Sequence, residues 1–180
     1  MTQDETHTGA DDRAGREAGA KAPGPSPKEL VAILNANLSG FDKRLGLRFT
    51  AAGPEKFRAE LTVDESHKQP YGLVHGGVYA AMIETVCSTG AAISVLERGR
   101  SAVGLENSTS FLKAVRSGRL VCEAVPLVQG RNSQVWEGVV RDDRGRLVAK
   151  GRVRLLTPES RVQADGAPLT LQTGGPEFPE

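Results

Sequence analysis

The chain is short of the features that would settle its class at a glance. It has two cysteines and three histidines in 180 residues, and its charges nearly cancel: 23 Lys and Arg against 22 Asp and Glu. Two cysteines make no disulfide framework, so a reducing cytoplasm is the expected compartment. A formal net charge of +1 gives nucleic acid no long-range pull. Long apolar runs are missing too. The longest stretch without Asp, Glu, Lys or Arg covers residues 69–83, too short to span a bilayer and interrupted by Gly, Pro and His. Residues 1–10 carry acids and no apolar core, unlike a secretory signal. These absences leave a soluble chain of one domain, with neither membrane nor nucleic acid as partner.

Residues 1–26 contain no large apolar side chain after Met1 and are expected to form a disordered N-terminal tail. Residues 157–180, with four prolines, are expected to form a mobile C-terminal tail. The folded part is then 27–156, which keeps 19 bases and 13 acids and would suit a small polyanionic ligand.

Ser26-Pro27-Lys28-Glu29 has the form of a helix start, and Leu30, Ile33, Leu34 and Leu38 follow at helical spacing. Strands are expected over 45–51 and 56–63, around Gly53-Pro54. Residues 76–96 are small or apolar on every side of a helical wheel, which predicts a central buried helix. Strands then follow at 102–112, 120–129, 133–141 and 146–156. In the first of these, Val103, Leu105, Asn107, Thr109 and Phe111 share a face. Pro126 marks a bulge or an edge, and Asp142-Asp143-Arg144-Gly145 marks a hairpin. The class is α+β: an antiparallel sheet of about five strands around one long helix.

Chemistry concentrates at Gln69 and at the run Gly72-Leu73-Val74-His75-Gly76-Gly77 that opens the buried helix. Glu84 is the only Asp, Glu, Lys, Arg or His between Gly76 and Leu96. A carboxylate on an apolar helix costs several kcal/mol unless partners replace its water, and desolvation would make it a stronger base than a surface Glu; the alternative is a Glu at a wet edge or paired with an arginine. Gly76 and Gly77 present free N–H groups and the positive end of the helix dipole, suited to an anion or a developing oxyanion; a simple tight turn would need the same glycines. Ser88 lies four residues after Glu84, on the same face, and could hold its carboxylate or a water. Gln69 could orient a water or a carbonyl. Gly76 and Glu84 are about 12 Å apart along one helix. One carbonyl cannot touch both, so joint action requires two chains with antiparallel helices and shared sites. Cys87 and Cys122 sit among alanines and valines and read as small core residues.

Those residues, together with Val103-Gly104-Leu105-Glu106-Asn107 and Gly130-Arg131, make the chain resemble the hotdog-fold thioesterases of the PaaI-like group over roughly 45–156. Within that group the pairing of Gln69 with Glu84 most resembles the Arthrobacter-type 4-hydroxybenzoyl-CoA and the 1,4-dihydroxy-2-naphthoyl-CoA thioesterases. The resemblance implies a long helix wrapped by a curved sheet, with dimers that share active sites and pair into homotetramers. It implies hydrolysis of an acyl-CoA, aromatic by first expectation, with coenzyme A as part of the substrate and no metal or separate cofactor. Glu84 would be the catalytic carboxylate and Gly76 N–H the polarising donor. Gln69 would position thioester or water, His75 would support the turn or the leaving thiolate, and Ser88 would hold Glu84. Gly77 would complete the anion-binding start of the helix. Lys113 and Gly130-Arg131-Asn132 would lie near the phosphates of CoA. The alternatives are a hotdog hydratase or dehydratase, with His75 as base, and a non-catalytic acyl-CoA-binding module.

Overall fold

The computed structural model describes residues 24–38 and 40–158, so most of both expected tails lies outside the described residues. Helix α1 (Pro27–Ala36) begins as its sequence requires. The Ser26 hydroxyl accepts from Glu29 N–H, and the Glu29 carboxylate accepts from Ser26 N–H. A short helix α2 (Gly40–Arg44) follows, which the sequence pattern did not suggest. Next come β1 (Arg48–Ala52), β2 (Phe57–Thr62), a 3-10 turn (Glu65–His67) and the long helix α3 (Gly76–Leu96). The chain closes with β3 (Val103–Phe111), β4 (Arg119–Gln129), β5 (Ser133–Asp142) and β6 (Leu147–Leu156).

Among the described residues the sheet has six strands, in keeping with the six strand runs expected, all antiparallel and in the order β1-β2-β4-β5-β6-β3. Pro126 falls at a bulge in the interior strand β4, where the register against β5 shifts between Pro126 and Val128. The hairpin joining β5 to β6 closes with Gly145 N–H donating to Asp142 O at 2.9 Å. Thr157, assigned by composition to the mobile tail, is fully buried: its N–H and hydroxyl donate to Asn132 O and Arg131 O. Ordered packing therefore runs one residue past the expected boundary.

The sheet curls around α3. Val78, Tyr79, Met82, Ile83, Val86, Cys87, Gly90, Ala91 and Val95 are buried on the wrapped side. Trp136, fully buried, meets Phe57 edge-on at 6.1 Å, and large side chains buried in this way stabilise by roughly 1.5–3 kcal/mol each. A Cβ on Gly90 would lie 2.5 Å from the Trp136 ring, so helix and sheet touch there only because the side chain is missing. By length and apolarity α3 could cross a membrane, but half of its apolar window is packed inside this fold; it is the core helix.

The wheel pattern of α3 overstated its burial in one respect. Gly77 is exposed and Ala80, Ala81, Glu84, Thr85 and Ser88 are only half-buried. Six strands of one chain wrap one side of the rod and leave this side partly open. The open side lies next to β3, one of the two end strands of the sheet, which among the described residues pairs only with β6. Seven of its nine residues are exposed.

Candidate active site

Glu84 stands on the open side of α3, under β3. Ser88 Oγ, one turn on, donates to Oε1 at 3.1 Å, as the i, i+4 spacing anticipates. Asn107 Nδ2, from β3, donates to Oε2 at 2.9 Å and to Ala80 O at 3.1 Å. Thr109 Oγ1 donates to Asn107 Oδ1 at 2.6 Å, which turns the Asn107 amide so that its N–H groups face the carboxylate. Hydrogen bonds to a charged group contribute about 1.5–3 kcal/mol each and fix its direction.

Gly104 makes room for this group. A Cβ there would lie 2.6 Å from Glu84 Oε1. The expected face of Val103, Leu105, Asn107, Thr109 and Phe111 holds from Asn107 onward. A register shift between Gly104 and Glu106 breaks the alternation, so Gly104 meets the helix and Leu105 is 53% exposed. Gly104 and Asn107 carry part of the family resemblance, but the sequence alone gives neither a role at the site. A glycine inside a strand, which commonly marks a close approach, was the available signal.

The second cluster of candidate residues lies at the start of α3. Buried His67 anchors it: Nδ1 accepts from Asp64 N–H at 3.0 Å, Nε2 lies 3.1 Å from Leu45 O, and its carbonyl accepts from His75 N–H at 2.8 Å. His75 is the N-cap, its Nδ1 accepting from Gly77 N–H at 2.9 Å. Val78 N–H donates to His75 O. With those two amides engaged, the N–H of Gly76 is the one in the first turn left without a partner among the described residues. His75 thus supports the turn, and Gly77 serves the cap. Gly76 also lets the Phe111 ring lie directly on the helix start: a Cβ would come within 2.6 Å of it and push the ring away.

A cleft of about 260 Å³ lies against this helix start, lined by Gln69, Gly76, Tyr79, Phe111, Leu112 and Lys113 among others. Gln69 Oε1 accepts from Tyr71 N–H, and Gln69 N–H donates to Leu73 O at 2.8 Å. The turn is therefore fixed with the Gln69 side chain at the cleft. Lys113 is exposed at the cleft rim.

Gly130, Arg131 and Asn132 lie elsewhere. They form the turn between β4 and β5, beside the C-terminal end of α3. Arg100 donates to Asn132 Oδ1 there at 3.0 Å, and Ser94 and Gln134 hydrogen-bond at 2.9 Å. Within one chain, Gln69, Gly76 and Lys113 thus cluster at one end of α3, Glu84, Ser88 and Asn107 near its middle, and the turn at 130–132 at the far end. Burial pushes the thiols of Cys87 and Cys122 far up, with nearby Glu84 and Glu137 adding to the effect at Cys87. Neither is a thiolate nucleophile.

Residues 71–149 match the model of the thioesterase superfamily. The chain is 43% identical over 139 residues to a Mycobacterium tuberculosis protein named as an esterase, covering 76% of this chain and 98% of that one. The solved structure of that protein superposes with a TM-score of 0.65, covering 67% of this chain and 98% of the other. A proofreading thioesterase, EntH, of Cronobacter turicensis is 37% identical over 124 residues, 69% of this chain and 90% of that protein. The 1,4-dihydroxy-2-naphthoyl-CoA hydrolase of Escherichia coli is 34% identical over 124 residues, 69% of this chain and 88% of its own.

Proposed function

The chain belongs to the thioesterase superfamily and has its hotdog fold, and from that premise we propose that it hydrolyses an acyl-CoA, aromatic in its acyl part, at a site shared between two copies. The observation that carries this reading is the pair of half-sites at the two ends of one exposed edge strand. Phe111, at one end of β3, lies on Gly76; Gly104, near the other end, lies on Glu84.

Two chains joined edge to edge through antiparallel β3 strands, about a two-fold axis near Asn107 and Ser108, bring the Phe111 end of one beside the Gly104 end of the other. The Gly76 N–H of one chain then faces the Glu84 carboxylate of its partner across a single thioester. The same operation accounts for the separated basic positions. Ser133 pairs with Leu156, which also pairs with Val103. The turn at Arg131 and Asn132 therefore lies at the Val103 end of β3, and the partner's copy of it arrives beside Lys113. These groups would meet the phosphates of CoA. Further pairing of dimers into tetramers belongs to the same reading, as does a cytoplasmic location.

In the mechanism, the thioester oxygen accepts from Gly76 N–H, at the positive end of α3, and Gln69 orients the carbonyl or the attacking water. The partner's Glu84 attacks the carbonyl carbon directly, or takes a proton from a water that does. In direct attack a Glu84–acyl anhydride forms as the C–S bond breaks and the CoA thiolate leaves, and water hydrolyses it to the free acid and the Glu84 carboxylate. In the base route the attacking water becomes the hydroxyl of the acid as the C–S bond breaks, and the proton held by Glu84 passes to the leaving thiolate. The fixed carboxylate supplies the orientation that such a step needs. His75 does not act as the base of a hydratase in this scheme, because its Nδ1 is engaged in capping α3.

Glu84→Gln keeps the shape of the side chain and removes its basicity. Free CoA release from benzoyl-CoA and hydroxybenzoyl-CoA is expected to fall at least about 100-fold, with circular dichroism and oligomeric state unchanged. Unaltered turnover would remove Glu84 from the chemistry.

A further inference from the structure

The turn between β4 and β5 is held from outside its own hairpin. Arg100, in the loop between α3 and β3, spreads its guanidinium over three oxygens. Its Nη2 donates to Asn132 Oδ1 at 3.0 Å and to Thr157 O, and its Nε donates to Pro158 O at 3.1 Å. Fully buried Thr157 closes the other side, its N–H donating to Asn132 O at 2.8 Å and its hydroxyl to Arg131 O at 3.3 Å. Within the turn, Gly130 N–H donates to Ser133 O at 2.9 Å. Hairpin tips are ordinarily the mobile part of a sheet. This one is fixed by the end of β6 and by the loop that follows α3.

The clamp has a chemical consequence. It turns the carbonyls of Arg131 and Asn132 and the side-chain oxygen of Asn132 inward, onto Thr157 and Arg100. An approaching anion therefore does not meet their lone pairs. With Oδ1 turned to Arg100, the Nδ2 group of Asn132 faces the other way, and Arg131 beside it is exposed. The neighbouring loop, residues 97–100, adds two arginines and one glutamate, so this end of the molecule is positively charged.

We propose that Arg100 is a positioning residue for recognition of the CoA phosphates: it holds the turn at 130–132 in one donor-outward shape, ready for a substrate bound at the partner's helix start. This deepens, and rests on, the thioester-hydrolase reading with its shared site. A turn ordered in advance strengthens binding because the ligand does not have to order it. The hydrogen bonds of Arg100 go to residues 132, 157 and 158 and to none of the groups around the thioester. Its effect therefore belongs in KM and is confined to ligands long enough to reach the turn.

The test compares the wild-type chain, Arg100→Ala and Arg100→Lys on benzoyl-CoA and on benzoyl-N-acetylcysteamine, which carries the same thioester and no phosphate; thiol release is read for both. Binding of free CoA is measured in parallel by calorimetry. Arg100→Ala is expected to raise KM for benzoyl-CoA about tenfold with kcat within about twofold, and to leave both constants for the truncated thioester within about twofold. Arg100→Lys keeps the charge, but one ammonium cannot span the three oxygens, so a KM increase of about fivefold or more is expected to remain. Equal changes on the two thioesters, or no change on either, overturn the proposal, as does full recovery in Arg100→Lys. If the wild type turns over neither thioester, the hydrolase reading fails. Wherever a thioester is not turned over, CoA binding decides the role of Arg100. Roughly tenfold weaker binding in Arg100→Ala, unrecovered in Arg100→Lys, upholds it. Equal binding by the three proteins, or none by the wild type, refutes it.

Discussion

Glu84 is oriented by a hydroxyl from its own helix and an amide from a neighbouring strand, and it fits only because Gly104 has no side chain. Ser88 and Asn107 each bond a different carboxylate oxygen, so the plane of the group is set from both sides. A methyl group on Gly104 would lie 2.6 Å from Oε1, inside any permitted contact. Gly104→Ala should therefore displace the carboxylate without unfolding the sheet, because position 104 is exposed on an edge strand. Steady-state kinetics are expected to show kcat lower by about 100-fold, with KM little changed, in keeping with the sensitivity of attack geometry to displacements near 1 Å. A Gly104→Ala variant with wild-type kcat would mean that Glu84 is not held where the chemistry needs it.

At the scale of elements, β3 carries the arrangement. It contributes Asn107 and Gly104 to one half-site and Phe111 to the other, and it ends the sheet with one edge unpaired. A nine-residue edge left open in this way is a template for pairing, and natural proteins cover or charge such edges. Leu105 is 53% exposed at the bulge in this strand. Leu105→Arg would put a charged side chain into the proposed seam between the two β3 strands, and sedimentation should show dissociation to folded monomers. Activity should disappear with the dimer, because each site would lose one of its halves. A monomeric variant that still hydrolyses substrate would show that one chain suffices.

Much of this arrangement was legible in the residues. The spacing of Glu84 and Ser88 gave a hydrogen bond that is present, and Ser26 and Glu29 gave a capping box that is present. Other parts were hidden because they depend on contacts across elements. Nothing local distinguishes Asn107 from any polar residue of an edge strand until β3 is laid over α3. The bulge at Leu105 shifts the face by one residue in a way that alternation alone does not reveal. The open side of α3 read as buried because its residues are small, and small residues suit close approach to a second chain as well as burial within the first. The anion-binding pair read as Gly76 and Gly77 reduces to Gly76, since only the folded turn shows His75 taking the Gly77 amide.

For the whole molecule, the proposed shared site rests on the separation between Gly76 and Glu84 along one helix, about 12 Å. Mixed oligomers test this directly. Gln69→Ala cripples the half-site at the helix start and Glu84→Gln the half-site at its middle, so oligomers of either variant alone should be inactive. When the two are unfolded, mixed in equal amounts and refolded together, each hybrid dimer has one site carrying both substitutions and one carrying neither. Free CoA release should return to about a quarter of the wild-type rate, since half of the dimers are hybrid and half of their sites are intact. If hybrid formation is verified and the mixture is as inactive as its parents, both half-sites act within a single chain and the shared site is refuted.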